Sequence, residues 1–295
     1  MMGALSPGVL LEFVLLAAVW GSSFMWMRLG SLEWGPWPTA GLRVTFACLF
    51  LLPLLLSGGR WKLFRQHAGH ILIVGLFNSS IPFALYAYAV LSISTGLSSI
   101  LNATVPLFGA LVGWLWMRER PGARRTWGLL IGFAGVALLS WGHAGFKPGG
   151  SGWAVLACLA ATLSYAIGAF YVRRFLADVP ALPLTAGSQL GAALGLAVPT
   201  VLNWPAQTPS ITSWLAIGAA GVISSALGYL LFYRLIEKAG ANRTLTVTYL
   251  IPVFATGYGA WLLNESFTLN TAFGAMVVLV GVALAAGQQP TTEKP

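Results

Sequence analysis

The chain has 295 residues, of which 57% are hydrophobic and 8% charged. Soluble globular proteins carry roughly 25% charged residues, so there are too few charges to coat a water-facing surface, and one large soluble domain is excluded. The net charge of +9 would point to nucleic acid only if the basic residues gathered on a soluble face, and they fall instead in short loops between apolar segments.

Ten such segments follow one another, at residues 9–28, 38–57, 69–91, 97–117, 125–142, 152–172, 183–203, 213–235, 244–263 and 269–287. Each is close to the ~20 residues that cross a bilayer core of ~30 Å. Every backbone group in lipid needs an internal partner, so these segments are predicted to be helices. The ~10-residue alternating pattern of a membrane barrel is missing. The gaps leave no room for an extramembrane domain, and the first segment reads as a retained span rather than a cleaved leader. Cys48 and Cys158 fall inside spans and read as small core residues.

In chain order, the first segment holds Glu12, four residues in, and Trp20, twelve residues in. Glu12 is close enough to the membrane surface to snorkel. Trp20 is too deep for an interfacial anchor, whereas Trp34, Trp37, Trp61, Trp153, Trp204 and Trp214 sit at segment ends and are expected to be anchors. The second segment carries Arg43, a charge inside the span that can capture a carboxylate or bond to helix ends. The third and fourth pair prolines with polar residues. A proline cannot donate to the carbonyl four residues earlier, so Pro82 frees Asn78 and Pro106 frees Asn102, and in the ninth segment Pro252 frees Thr248. These prolines are expected hinges. The freed groups are expected to face a wet cavity or a neighbouring helix. Tyr86, Tyr165, Tyr229 and Tyr249 add aromatic rings with a polar handle within spans; with Trp20, they can stack on an aromatic substrate or hold a cation. Gly128, Gly132 and Gly135 in the fifth segment, and Gly187, Gly191 and Gly195 in the seventh, form stripes that allow close helix packing.

With the N-terminus placed inside, Arg60, Lys62, Arg65, Arg118, Arg120, Arg124, Arg125, Arg173, Arg174, Arg234, Lys238, Arg243 and Lys294 all fall on the inner side; only Arg28 and Lys147 fall in outer loops. Basic residues favour the cytoplasmic side, so both termini are expected in the cytoplasm. The chain also repeats itself. Residues 106–138 align without a gap on 252–284, with nine of 33 positions identical, Pro106/Pro252, Gly113/Gly259 and Glu119/Glu265 among them. Thr39-Ala40-Gly41 matches Thr185-Ala186-Gly187 at the same offset of 146, and Ser79-Ser80 matches Ser224-Ser225 at an offset of 145. Trp20 pairs in this way with Tyr165, and Arg43 with the neutral Gln189. Five helices per repeat is an odd number, so the second half enters the membrane from the opposite side. The fold expected is an all-α integral membrane protein of ten transmembrane helices, built as two inverted five-helix repeats over residues 1–146 and 147–295.

The Trp20-Gly-Ser-Ser-Phe24 run, Leu42-Arg43, and a Glu followed by a Gly-rich helix at the end of each repeat resemble the drug/metabolite transporter superfamily, EamA type. The resemblance covers essentially the whole chain and looks closest to the YddG type of amino-acid exporter. It implies a central cavity walled by helices 1–4 and 6–9, with helices 5 and 10 outside. It also implies a structural role for Arg43, since an Arg at this place is common across substrates. The function expected is a secondary transporter exporting aromatic or neutral amino acids, or related small metabolites, by alternating access around a midplane site. The alternative is proton-coupled efflux of cationic or aromatic drugs, for which Glu12 is the only carboxylate within a span. The expected substrate-binding residues are Trp20, Arg43, Asn78, Tyr86, Asn102, Tyr165, Thr248 and Tyr249. The expected partners are a small-molecule substrate and the lipid bilayer, with no nucleic acid, and a monomer is expected to suffice. No cofactor is implied. His67 and His70 have a metal-compatible spacing but lack carboxylate or cysteine company. No enzyme motif and no phosphate-binding loop is present. A bare scaffold would fill mid-helix positions with apolar packing instead of proline-freed polar residues.

Overall fold

A computed structural model describes residues 6–118, 121–141, 145–146, 150–240 and 244–286. Glu119, which pairs with Glu265 in the repeat, lies outside these residues, as do Arg120, His143, Lys147, Arg243 and Lys294.

The ten expected spans are helices: α1 (Pro7–Trp34), α2 (Pro36–Leu56), α3 (Ala68–Ala89), α4 (Thr95–Met117), α5 (Ala123–Ser140), α6 (Ser151–Phe175), α7 (Ala181–Leu202), α8 (Ile211–Ala239), α9 (Thr246–Leu263) and α10 (Leu269–Ala286). Eight of them, all but α5 and α10, are at least 18 residues long and apolar enough to cross a bilayer on those grounds. Their start signals are local. Ser6, Ser94 and Ser210 accept hydrogen bonds from the backbone N–H three residues on, as N-caps of α1, α4 and α8. The turn from α1 to α2 passes through Gly35 at φ 74°, where an L side chain would be strained, and Pro36 then opens α2 with its ring in the one helical position that needs no N–H.

Two features were not expected. A short helix, Arg60–Gln66, links α2 to α3; it buries Phe64, with Trp61 stacked on it at 5.1 Å, beside the glycine stripe of α7. Trp34 is not a lipid-facing anchor. It is 2% exposed and lies edge-on between Trp204 and Trp214, at 5.0 and 4.5 Å, the buried member of a three-tryptophan cluster at one end of the bundle. Trp37, Trp61, Trp153 and Trp204 are exposed, as anchors should be.

The packing follows the repeat. α2 packs on α7 and α8, and α7 on α2 and α3; α1 packs on α8 and α9, and α6 on α3 and α4; α5 and α10 pair. In the last pair the glycines bring backbones together. A Cβ on Gly281 would lie 2.2 Å from the Gly132 nitrogen, and one on Gly128 would lie 2.4 Å from the Ala285 nitrogen. The caps repeat as well: α4 and α9 both end in the left-handed region, at Arg118 (φ 56°) and Asn264 (φ 53°), which are 146 positions apart.

Candidate substrate site at the repeat junction

Four helices are irregular at mid-depth. α4 breaks after Asn102 and restarts at Val105, with Pro106 in the first turn of the second half. α9 opens as a 3-10 turn over Thr246–Tyr249 and becomes α-helical at Ile251, with Pro252 in that first turn. Pro82 follows a π-helical segment, Leu76–Ser80, rather than a break. The bonding widens to five residues there, so the Ile81 N–H reaches the Leu76 carbonyl. α8 has the same π distortion over Ala220–Leu227, and Gly228 stands where Pro82 stands in the first repeat. The bulge therefore belongs to the repeat and does not require the proline.

The π segments carry the serines that tie the repeats together. Arg43 of α2 donates through Nε to Ser225 Oγ of α8 at 2.9 Å, and the Ser225 hydroxyl donates to the Ala220 carbonyl at 3.1 Å. Gln189 of α7 donates through Nε2 to Ser79 Oγ of α3, also at 2.9 Å. At an offset of 146, which Gly75/Gly221 and Tyr86/Phe232 also keep, Gln189 is the mate of Arg43 and Ser225 the mate of Ser79, so the serine pair shifts one place from its match at 145. The two bonds are thus one contact made twice, each time from one repeat to the other. Glycines allow the approach: a Cβ on Gly75 would meet the Ser188 carbonyl at 2.2 Å, and one on its mate Gly221 would meet the Arg43 carbonyl at 2.6 Å.

Arg43 is buried, 4% exposed, with its guanidinium 3.7 Å from the centre of the Phe83 ring. Cation–π attraction of this kind reaches about 2 kcal/mol when desolvated. Among the described residues no carboxylate pairs with it. Its Nη1 has no hydrogen-bond partner.

The aromatic residues gather around this junction. Tyr86 is buried; its hydroxyl donates to Asn102 Oδ1 at 3.0 Å, Phe24 meets it edge-on at 5.5 Å, and Tyr165 stacks on it with centroids 6.3 Å apart. Trp20 and Tyr165 do not face each other as a pair. Trp20 packs on Tyr229 and Phe232, at 6.1 and 5.2 Å, with its Nε1 over Gly228. Phe232 is the repeat mate of Tyr86. Each aromatic therefore crosses to the other repeat, which a one-to-one matching of Trp20 with Tyr165 does not reveal. Tyr249 is half-buried against the core that contains Tyr86. Asn78 lies over Gly168 of α6, where a Cβ would come within 1.9 Å of its Oδ1. Thr248 departs from expectation: its hydroxyl bonds the Leu245 carbonyl within its own 3-10 turn at 2.9 Å, so that donor is already used.

Of the expected residues, Trp20, Arg43, Tyr86, Asn102 and Tyr165 are brought together, with Asn78 and Tyr249 at the margins. Sequence reasoning noted Gln189, Ser79, Ser225 and Tyr229 without placing them in the site. The signal for them lay in the offset: the identity of the serine pairs favours 145, whereas carrying the 146 of Arg43 and Gln189 through α3 and α8 aligns Ser79 with Ser225.

The charged groups lie at the bundle ends. Glu12 accepts from Lys238 at 2.7 Å and faces Arg234 at 3.1 Å, at the end that carries most basic residues. At the other end, the Glu265 carboxylate accepts from Thr95 N and Oγ1, at 2.9 and 2.7 Å, in the first turn of α4, with Arg28 Nε 3.8 Å away; Arg28 also donates to the Val90 carbonyl. Glu33 holds the start of α8 in the same way, through Ser210 N and Oγ at 2.5 and 2.7 Å. A carboxylate at a helix N-terminus meets free N–H groups and the positive end of the dipole. We expect Glu12→Gln to leave the pH dependence of transport unchanged, since Glu12 is held by surface cations and not by the site; a transport rate measured from pH 5.5 to 8 checks this.

Ten membrane helices in two interlocked, oppositely entering halves, irregular at mid-depth around a polar and aromatic junction, define a multi-pass membrane transporter. The chain belongs to the EamA-like transporter family, whose family model matches residues 7–141 and again residues 152–287. It is similar to the uncharacterized transporter YvbV of Bacillus subtilis, at 28% identity over 94% of this chain and 90% of that one. It is also similar to the uncharacterized inner membrane transporter YedA of Escherichia coli K12, at 25% identity over 90% and 86%. A solved crystal structure matches with a TM-score of 0.62 at 21% identity, covering 94% of this chain and 96% of that one, a likeness of fold alone.

Proposed function

We propose that the protein exports aromatic or neutral amino acids, or closely related small metabolites, by alternating access. The halves 1–146 and 147–295 rock about a midplane site, with Pro82, Pro106 and Pro252 as the bending points. Trp20, Arg43, Asn78, Tyr86, Asn102, Tyr165, Thr248 and Tyr249 are the residues assigned to substrate, Thr248 through its backbone. The observation that carries this reading is the junction itself: a buried guanidinium without a carboxylate partner among the described residues, next to stacked Tyr86 and Tyr165 and the Tyr86–Asn102 hydrogen bond. A cation there favours a substrate with a carboxylate over a cationic drug. The pairing of Glu12 with Lys238 and Arg234 also supports this choice, because a free carboxylate is what proton-coupled efflux of cations would need. We assign the protein to the inner (cytoplasmic) membrane with both termini in the cytoplasm, a reading that the basic loops and the name of the YedA relative support. A single chain holds both halves, so a monomer is expected to work. The test is a panel of labelled amino acids in liposomes bearing the purified protein. Movement of at least one aromatic or neutral member well above empty vesicles is the expected result; no movement of any member overturns the reading.

A further inference from the structure

We infer that Arg43 and Gln189 together clamp the zwitterionic end of an α-amino acid, Arg43 Nη1 donating to the carboxylate and Gln189 Oε1 accepting from the ammonium. The inference rests on the amino-acid reading above and narrows it: both charges of the substrate are required.

The two side chains are repeat mates, and both are almost wholly buried, at 4% and 1% exposed. Each has one polar atom fixed to a serine of the opposite repeat, Arg43 Nε to Ser225 and Gln189 Nε2 to Ser79. Each has another polar atom buried with no partner, Arg43 Nη1 and Gln189 Oε1. Nη1 can only donate and Oε1 can only accept. Buried polar atoms are nearly always satisfied, and leaving one unsatisfied is unfavourable. A ligand that brings an acceptor anion and a donor cation satisfies both at once.

The surroundings fit that division. The Phe83 ring covers one face of the guanidinium, so a carboxylate has to approach its edge, where Nη1 lies. α3 connects the two sides: Phe83, which lies against the Arg43 guanidinium, stands four residues along from Ser79, which holds Gln189. Tyr165 of α6 packs against the apolar cluster that contains Phe83. Tyr165 and Tyr229 are partly exposed, and Tyr229 meets Trp20 edge-on. A substrate side chain reaching from the clamp toward the Tyr86–Tyr165 stack and Trp20 meets aromatic surface. Because each clamp residue is tied to the other repeat, a bound substrate bears on both halves.

Liposomes with purified protein test the clamp through efflux of labelled L-phenylalanine and L-leucine, in competition with unlabelled L-phenylalanine, 2-phenylethylamine (no carboxylate) and 3-phenylpropionate (no ammonium). Both analogues are expected to need at least about ten-fold more than the amino acid for equal inhibition, as the loss of one hydrogen-bonded charge implies. Arg43→Gln should weaken the amino acid by at least about ten-fold and abolish the preference over the amine, with Arg43→Lys restoring part of it. Gln189→Leu should abolish the preference over 3-phenylpropionate while keeping the preference over the amine. Thermal unfolding in detergent establishes that each variant is folded, and the shift of its midpoint with L-phenylalanine gives a second reading of binding. If the amino acids move but the amine competes equally, or if folded Arg43 and Gln189 variants keep wild-type preferences, the clamp is overturned and the transport reading stands. If no labelled amino acid moves above empty vesicles, the clamp falls together with the transport reading on which it rests.

Discussion

Gly75→Ala and Gly221→Ala each lose transport and most of the folded yield, while Gly218→Ala behaves as wild type. A Cβ at 75 would sit 2.2 Å from the Ser188 carbonyl and 2.8 Å from the Ala192 nitrogen; at 221 it would sit 2.6 Å from the Arg43 carbonyl and 2.7 Å from the Phe46 Cβ. The walls are mostly backbone of packed helices, so the helices themselves must separate. Overpacking a core costs about 1–3 kcal/mol, and a wall that cannot rotate away puts these sites at the top of that range. Close backbone approach is also how helices hold together in lipid. The same crossings position Ser79 for Gln189 and Ser225 for Arg43, so loss of packing and loss of the site come together. A methyl group on Gly218 would meet no neighbouring atom within 4 Å, and a change there should stay within about 0.5 kcal/mol. Size-exclusion profiles and thermal unfolding in detergent, followed by liposome transport, read the outcome. A Gly75→Ala protein as stable and active as Gly218→Ala would refute the account of the crossing.

Glu265→Gln opens the end of the bundle at which α4 begins. The carboxylate accepts from both Thr95 N and Thr95 Oγ1 and lies beside Arg28, so it joins α1, α4 and the segment after α9. Hydrogen bonds to charged groups contribute about 1.5–3 kcal/mol. Losing about 2 kcal/mol shifts an equilibrium between closed and open arrangements by roughly 30-fold. A cysteine placed at Ala103, buried at the break in α4, reports the change in a background with Cys48 and Cys158 replaced. Its labelling from that side should rise by at least about ten-fold in Glu265→Gln. An unchanged labelling rate would reduce the clasp to a helix cap.

Much of this was legible in the sequence. The segment centres emerged from apolar length alone, because lipid forces each span to satisfy its own backbone. The breaks in α4 and α9 were legible from Pro106 and Pro252, since a missing N–H has a fixed local effect. The expected end of α1 was residue 28, but the helix runs on to Trp34. Arg28 read as a residue of an outer loop; in the fold it bonds across the bundle end, as Glu33 does. The π segment in α8 was hidden because Gly228 gives no proline signal. Glu265 lies at a helix mouth, and its grip on Thr95 depends on a contact 170 positions away in the chain. The Arg43–Ser225 and Gln189–Ser79 ties lay one step beyond the repeat alignment. Symmetry says which residues are equivalent, and only the packing says that equivalents cross over.

A helix that closes its bonds over five residues instead of four holds a spare residue. α3 and α8 each hold one, next to the serine that knots the two halves. An α-helix advances about 100° per residue, so passing the spare one place along swings a side chain by about that angle while both ends of the helix stay put. The knots are therefore mounted on swivels. Slack can be handed along α3 or α8 to loosen one knot while its twin stays tied, without bending either rod.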